Sequence, residues 1–225
     1  GGGGGGGGGS AHPSVLLNVF DSHDTARALW MLRGDTAALR LLLLMQACAP
    51  GPPMIYQGTE VGMVGALGIE GSGRDPHNRG AFPWHEPEAW DHRTLEHSRS
   101  VGRMRRDCKA LRRGGLRWRP ARRSDGQRPA ENPAVVVWER FMDDAEGIAG
   151  DTLCVFHSGR DGPAAVKVQT GFGAGVALRA VFREEEGTEG GGGGGGKGGG
   201  SFMTDAKGWV SLELAPQSGL VLVLA

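Results

Sequence analysis

Hydrophobic and polar positions divide the chain into a half of mixed helices and strands and a half of strands alone. Residues 14–20 form a nearly continuous apolar run, which predicts a strand buried on both faces, as in a parallel sheet. Asp35 is placed to cap a helix that runs to about Cys48 and is apolar nearly all round, which predicts burial on most sides. Residues 54–56 then predict a second short buried strand.

A long irregular segment and a further helix complete the first half. Residues 58–91 are rich in glycine, proline and histidine, and loops of this length in compact domains are often functional. Residues 95–113 predict a helix with arginines on one face and apolar residues on the other. Its apolar stripe steps by three, four and three residues: Val101, Met104, Cys108 and Leu111.

Short strand-like runs separated by turn residues fill the second half, from residue 118 onward. Regular short strands with glycine, proline, aspartate and serine between them predict an antiparallel sandwich. The predicted strands cover residues 134–139, 152–157, 164–168, 176–182, 209–214 and 220–224. The predicted fold class is therefore α/β followed by all-β. Two parallel strands and two helices can neither close a barrel nor bury a parallel sheet alone.

Charge and glycine content exclude several functions. Lysine and arginine number 25, as do aspartate and glutamate, so a formally neutral chain has no electrostatic footprint for nucleic acid or for an anionic membrane. Residues 41–49, the longest apolar stretch, are too short to span a membrane. Nineteen of the 42 glycines fall in two flexible runs, within residues 1–9 and 190–200, which match a nucleotide-binding loop only trivially.

The three cysteines are far apart and form no Cys-x-x-Cys motif. This spacing argues against a zinc knuckle or a redox pair, and their apolar surroundings predict buried free thiols. They are Cys48, Cys108 and Cys154.

Candidate chemistry concentrates where the first predicted strand ends. A polar cluster from Asp21 to Asp24 follows the strand directly, at the position where α/β barrels place their active sites. Asp24 suits an acid, a base, a nucleophile or an electrostatic partner, and His23 suits hydrogen bonding to a ligand. Taken alone, an aspartate in this position is more typical of the cap of the next helix. A triad of Ser22, His23 and Asp24 is excluded because successive residues cannot align.

Four segments occur in the order found in one enzyme family. Residues 17–27 (LNVFDSHDTAR) resemble its seventh barrel strand, and residues 53–63 (PMIYQGTEVGM) resemble the eighth. Residues 74–79 (RDPHNR) with 82–84 (FPW) resemble the loop that follows, and residues 110–113 resemble the last helix of the barrel. The family is the alpha-amylase family of glycoside hydrolases, in particular its neopullulanase, cyclomaltodextrinase and maltogenic amylase branch.

The resemblance implies a domain organisation. Residues 14–117 are expected to form the C-terminal part of a (β/α)8 catalytic barrel, from the seventh strand to the last helix. Residues 118–225 are expected to form a C-terminal β-sandwich with a glycine-rich insertion at 190–200, and residues 1–13 a linker or an artefact. Because the chain opens in a glycine run without methionine, we expect that sequence is missing upstream.

The resemblance also implies retaining cleavage of alpha-glucosidic bonds in starch-like oligosaccharides. Asp24 matches the family's third carboxylate, which stabilises the transition state, and His23 matches its hydroxyl-binding neighbour. Asp75 and Arg79 match a pair that binds a sugar further along the non-reducing side, with a loop salt bridge as the alternative. Arg27 is placed in the same substrate-binding set. The nucleophile and the general acid precede this chain in the family pattern, so the isolated chain is expected to be inactive.

Other features refine this expectation or leave it open. No cofactor and no metal are implied, and the expected partner is an alpha-glucan or maltooligosaccharide, with a homodimer through an N-terminal region left open. Trp84 fits stacking on a sugar or, the favoured reading, packing beneath the loop. Tyr56 and Glu60 are read as framework. An alpha-glucan transferase for branching or cyclisation, and a non-catalytic glucan-binding or transporter-associated relative, are the alternative functions.

Overall fold

The computed structural model describes residues 16–73, 75–124, 132–143, 150–184 and 200–225. The expected linker at residues 1–13, Arg74 and nearly all of the expected insertion at 190–200 lie outside these ranges.

The first half of the described chain contains helices and a two-stranded parallel sheet. Its strands pair with Asn18 opposite Pro53 and Val19 opposite Met54. In chain order the elements are β1 (Asn18–Val19), α1 (Ala28–Met31), α2 (Thr36–Cys48), β2 (Pro53–Met54), α3 (His92–Asp107) and α4 (Lys109–Arg113). Short 3-10 helices at Thr59–Val61, His77–Arg79 and Pro87–Ala89 lie between β2 and α3.

Strands β1 and β2 are shorter and more exposed than the sequence predicts. The expected strand at residues 14–20 reduces to Asn18–Val19 within the described residues, and Leu16 is 78% exposed. Ile55, in the second expected strand, is also exposed. The prediction of strands buried on both faces is therefore wrong here. An apolar run is buried only by what packs on it, and in the described residues β1 pairs with β2 alone.

Helix α2 confirms its prediction. The Asp35 carboxylate accepts a hydrogen bond from the Ala38 amide at 2.9 Å, which caps the helix. The helix ends at Cys48. Its leucines at 39, 41, 43 and 44 are all buried, so the helix is covered on most sides.

The helix expected at residues 95–113 is divided into α3 and α4. Cys108 adopts an extended conformation (φ −93°, ψ 107°) between them. Helix α3 begins at His92, after Asp91, whose carboxylate accepts from the Thr94 amide at 2.9 Å. The apolar stripe missed this break because Val101 and Leu111 are buried in the same core on either side of it.

The second half consists of antiparallel sheets, as predicted. One sheet has the order β3-β5-β6-β11-β8-β9, and the other has the order β10-β7-β4. The strands are β3 (Gly115–Trp118), β4 (Ala121–Arg123), β5 (Val135–Phe141), β6 (Thr152–His157), β7 (Ala164–Gln169), β8 (Ala177–Arg183), β9 (Ser201–Met203), β10 (Trp209–Leu214) and β11 (Ser218–Leu224). Buried side chains from both sheets form one core, as in a sandwich. The expected bounds of β6 and β10 are confirmed.

A second core joins the two halves, and we call it the junction. Leu44 and Cys48 of α2, with Val101 of α3, pack against Trp138 and Phe156 of the six-stranded sheet. The α2 end is also held by polar contacts, because the Trp138 indole donates to the Cys48 carbonyl at 3.2 Å. The buried Arg140 guanidinium donates to the same carbonyl at 2.9 Å and to that of Leu111 at 3.2 Å. The helices are therefore anchored on the sandwich at their C-terminal ends.

A buried ion cluster crosses the junction at the middle of α2. The Glu184 carboxylate lies 3.1 Å from Arg40 Nε and 2.9 Å from His97 Nδ1. Burial acts to raise the pKa of Glu184, but the hydrogen bonds and charges of His97 and Arg40 outweigh it, so the pKa lies below its ordinary value. The carboxylate is therefore held ionised between α2 and α3.

The three cysteines, distant in the sequence, converge on this same core. All three are free thiols, as predicted, with Cys48 and Cys154 buried and Cys108 half-buried. Burial raises the pKa of the Cys108 thiol to about 11 and that of Cys154 well above its ordinary value. Such thiols are poor nucleophiles, so their role here is packing.

Candidate functional site

Four charged or polar side chains from two loops form one continuous row at the end of β1. His23 Nε2 lies 3.2 Å from one oxygen of Asp24, and Arg79 Nη2 lies 3.1 Å from the other. Arg79 Nε also donates to the Asp75 carboxylate. We call His23, Asp24, Asp75 and Arg79 the polar row. The sequence assigned these residues to two separate groups, and the structure brings them into direct contact.

The polar row faces solvent. The Asp24 side chain is 70% exposed, and the other three members are also exposed. The carboxylates of Asp75 and, more weakly, Asp24 raise the pKa of Arg79, which stays cationic. Adjacent acceptors and donors that remain open to solvent suit a ligand rich in hydroxyl groups.

A buried asparagine joins the two loops of the polar row. The Asn78 side-chain amide donates to the His23 carbonyl at 2.7 Å and to the Thr25 carbonyl at 2.9 Å. This contact fixes the 3-10 helix at His77–Arg79 against the end of β1. Asn78 lies within the motif at residues 74–79, but the motif assigns it no role. Its signal was weak, because asparagine is common in loops for local reasons.

Asp21, rather than Asp24, supports the following helix. Its buried carboxylate accepts from the Ala28 amide at 3.0 Å and from the Thr59 hydroxyl at 2.8 Å. The alternative reading of Asp24 as the helix cap is therefore wrong. The Asp24 carboxylate instead belongs to the polar row. The sequence did not predict that Asp21 and Thr59 would hold this loop in place.

Arg27 lies apart from the polar row. It is 1% exposed, its guanidinium stacks 4.1 Å above the Tyr56 ring, and it donates to the Gln57 carbonyl. Its Nε and Nη2 atoms have no hydrogen-bond partner within the described residues. Burial lowers the pKa of Arg27, while Tyr56, Asp21 and Glu60 act in the opposite direction. Arg27 thus links the ends of β1 and β2.

The residues from Leu67 to Gly73, in the loop after β2, fold back onto α1. The Trp30 indole donates to the Gly71 carbonyl at 2.9 Å. Gly73 lies so close to the Trp30 ring that an added Cβ would come within 2.6 Å of a ring carbon. An open pocket of about 580 Å³ lies here, lined by Trp30, Met31, Arg33, Ile69 and Glu70.

Trp84 does not pack beneath its loop, contrary to the favoured interpretation of the sequence. Its side chain is 69% exposed. The Phe82 ring lies 4.3 Å away and the Trp90 ring 6.3 Å away, centroid to centroid. The aromatic neighbours therefore support Trp84 without covering it.

Two kinds of site lack support in the part of the chain that the structure describes. Its histidine, cysteine, aspartate and glutamate side chains form no group of three or more with metal-binding geometry. Its helices are all too short or too polar to cross a membrane.

Residues 10–106 match the family described as "Alpha amylase, catalytic domain". A cyclomaltodextrinase from Geobacillus thermopakistaniensis is 37% identical over 99 residues, which cover 44% of this chain and 16% of the relative. Neopullulanase 2 of Thermoactinomyces vulgaris is 37% identical over 102 residues, which cover 45% of this chain and 16% of the relative. The matched segments thus span under a fifth of these relatives' own length.

Solved structures show the same likeness in the fold. The crystal structure of the alpha-amylase from Geobacillus thermoleovorans, complexed with acarbose, superposes with a TM-score of 0.65 over 94% of this chain and 39% of that chain. The two sequences are 21% identical. At that identity the superposition is evidence of a shared fold alone.

Proposed function

We propose that this chain, whose residues 10–106 match the alpha-amylase catalytic domain, is the part of a retaining alpha-glucan hydrolase that carries the transition-state-stabilising carboxylate. Asp24 has this role, and His23 is the neighbour that binds a sugar hydroxyl. The observation that carries the proposal is the polar row, in which an exposed Asp24 carboxylate lies between His23 and Arg79 at the end of β1.

The chemistry of the row follows from its charge. As a glycosidic bond breaks, the sugar ring gains positive charge and its hydroxyl groups become stronger hydrogen-bond donors. A carboxylate that accepts from those hydroxyls therefore binds the transition state more tightly than the substrate, which lowers the barrier. Asp24 keeps its oxygens within reach of solvent for that purpose.

Asp75 and Arg79 would bind the next sugar on the non-reducing side. The Arg79 guanidinium, shared between Asp75 and Asp24, places two sugar-binding groups in contact. The Asp75–Arg79 salt bridge would itself serve as the sugar site. The pair is exposed, so a ligand hydroxyl group can hydrogen-bond to it without separating the two side chains. Neighbouring glucosyl units of one chain would then contact neighbouring parts of the row.

Arg27 belongs to the proposed substrate-binding set through an indirect role. Its near-complete burial favours holding Tyr56 and Gln57 in place over direct contact with sugar. Two of its guanidinium nitrogens lack a hydrogen-bond partner within the described residues. Further groups that face the site would supply the missing acceptors.

The proposed domain organisation follows the family. Residues 14–117 would supply the seventh and eighth strands and the last helix of a (β/α)8 barrel, which the parallel pairing of β1 with β2 supports. Residues 118–225 would form the C-terminal sandwich, with a glycine-rich insertion at 190–200. The homodimer through an N-terminal region stays a prediction.

The nucleophile and the general acid are proposed to lie outside these 225 residues, so the isolated chain should not hydrolyse alpha-glucans. The purified chain would be incubated with cyclomaltodextrin, pullulan and starch, and new reducing ends would be measured. We expect none above the blank. Turnover that Asp24→Asn abolishes would contradict the proposed absence of the other two carboxylates.

A further inference from the structure

Trp84 is a large apolar side chain that the fold leaves in solvent. It is 69% exposed, whereas Trp138 is buried and Trp90 half-buried. Indole presents a large apolar surface, and tryptophan is enriched where proteins contact other molecules.

The Trp84 ring packs against two aromatic neighbours, which restrain it. Trp84 and Phe82 lie at 4.3 Å with their planes inclined by 38°, and Trp90 meets Trp84 edge to face at 73°. The Trp90 indole donates to the Pro83 carbonyl at 2.9 Å, and the Trp84 amide donates to the Phe82 carbonyl at 2.8 Å. A restrained ring loses little conformational freedom when a ligand stacks on it, which favours affinity.

The location ties Trp84 to the polar row. It follows Arg79 by five residues on the same loop, so its Cα lies within about 18 Å of the Arg79 Cα. The far end of this loop is anchored, because the Asp91 amide donates to the Val61 carbonyl at 3.1 Å. Arg79 and Trp84 therefore belong to one anchored loop and are separated by no more than this distance.

We propose that Trp84 is a stacking platform for a glucosyl unit of an alpha-glucan, beyond the unit that the polar row binds. The proposal rests on the function proposed above. A pyranose ring has an apolar face of C–H groups that stacks on indole, while its hydroxyl groups at the rim stay hydrated. Trp84 would lengthen the binding site and favour longer glucans over short ones.

The test is affinity electrophoresis of the full 225-residue chain in native gels with and without soluble amylopectin. Trp84→Ala is compared with Trp118→Ala, a matched control because Trp118 is 67% exposed but lies on β3 of the sandwich. We expect amylopectin to retard the unaltered chain and Trp118→Ala equally, and Trp84→Ala to bind about tenfold more weakly. Trp84→Phe, which keeps an aromatic ring, should retain most of the retardation and guards against a folding defect.

Three outcomes would overturn the proposal. Undiminished binding by Trp84→Ala, with binding lost in Arg79→Ala, would refute the platform and leave the proposed function standing. No retardation of the unaltered chain would refute both. A dimer, detected by light scattering, that Trp84→Ala dissolves without loss of amylopectin binding would assign the ring to a second copy of this chain.

Discussion

Two places in the described part of the chain show the same three-residue arrangement, one in solvent and one in the junction. In the polar row, Asp24 lies between His23 and Arg79, at 3.2 and 3.1 Å. In the junction, Glu184 lies between His97 and Arg40, at 2.9 and 3.1 Å. The distances are alike, but Asp24 is 70% exposed and Glu184 is 13% exposed.

Burial therefore decides what each arrangement does. Exposed charges are screened by water and salt, so their pairing adds little stability and leaves the carboxylate open to hydroxyl groups. Buried charges have lost their hydration, so removal of one partner leaves the others uncompensated. We expect the junction to determine stability and the polar row to determine binding.

The largest effect should come from dividing the molecule at the junction. A fragment of residues 16–115 would expose the apolar faces of α2 and α3 that Trp138 and Phe156 cover. We expect this fragment to show no cooperative thermal transition by circular dichroism, whereas the full chain does. A cooperative melt of the monomeric fragment would show that the junction is dispensable.

Substitution of the buried carboxylate should come next. Glu184→Gln keeps the shape but removes the negative charge between Arg40 and His97, and it should lower the free energy of unfolding by about 3 kcal/mol. Urea unfolding measures the change. Glu213→Gln, on the exposed face of β10, is the matched control and should change stability by less than about 0.5 kcal/mol. Equal effects of the two substitutions would refute the structural role of Glu184.

The contribution of Glu184 should also depend on pH. Its pKa in the folded chain lies below the ordinary 4.5, so the stabilisation is present above pH 4.5 and is lost as the pH falls through the folded-state value. The difference in unfolding free energy between the unaltered chain and Glu184→Gln should be full at about pH 7 and should shrink as the pH falls below 4.5 through the folded-state value. A difference that persists in acid would mean that the charge of Glu184 is not what stabilises the junction.

Local signals predicted the elements whose causes are local. Asp35 precedes α2 and caps it, and the alternation around Val210 gives the observed bounds of β10. The apolar periodicity of residues 101–111 indicates which side chains are buried, not whether the backbone stays helical. It therefore did not predict the break at Cys108. The burial expected for residues 14–20 failed because it depends on what packs against the strand.

The sequence selected the four residues of the polar row but did not predict the contacts among them. Sequence resemblance selected Asp24 and Arg79, which lie 55 positions apart and are in contact in the structure. No local pattern indicates that Asn78 would donate to backbone carbonyls at the end of β1, or that Asp21, and not Asp24, would accept from the first amide of α1. These contacts depend on how the loops after β1 and β2 pack against each other in three dimensions, and a single sequence does not indicate that packing.

The smallest effect on stability should come from the polar row. Asp24→Asn removes one exposed charge and should change the free energy of unfolding by no more than about 0.5 kcal/mol. The same substitution should weaken glucan binding strongly, since a neutral amide accepts hydroxyl hydrogen bonds less well than a carboxylate does.

Calorimetric titration of the chain with maltoheptaose, before and after Asp24→Asn, tests the central claim most directly. We predict that the unaltered chain binds the sugar and that Asp24→Asn weakens binding by about tenfold or more while the unfolding midpoint stays unchanged. Equal affinity of the two proteins for maltoheptaose would contradict the assignment of Asp24 to the sugar site.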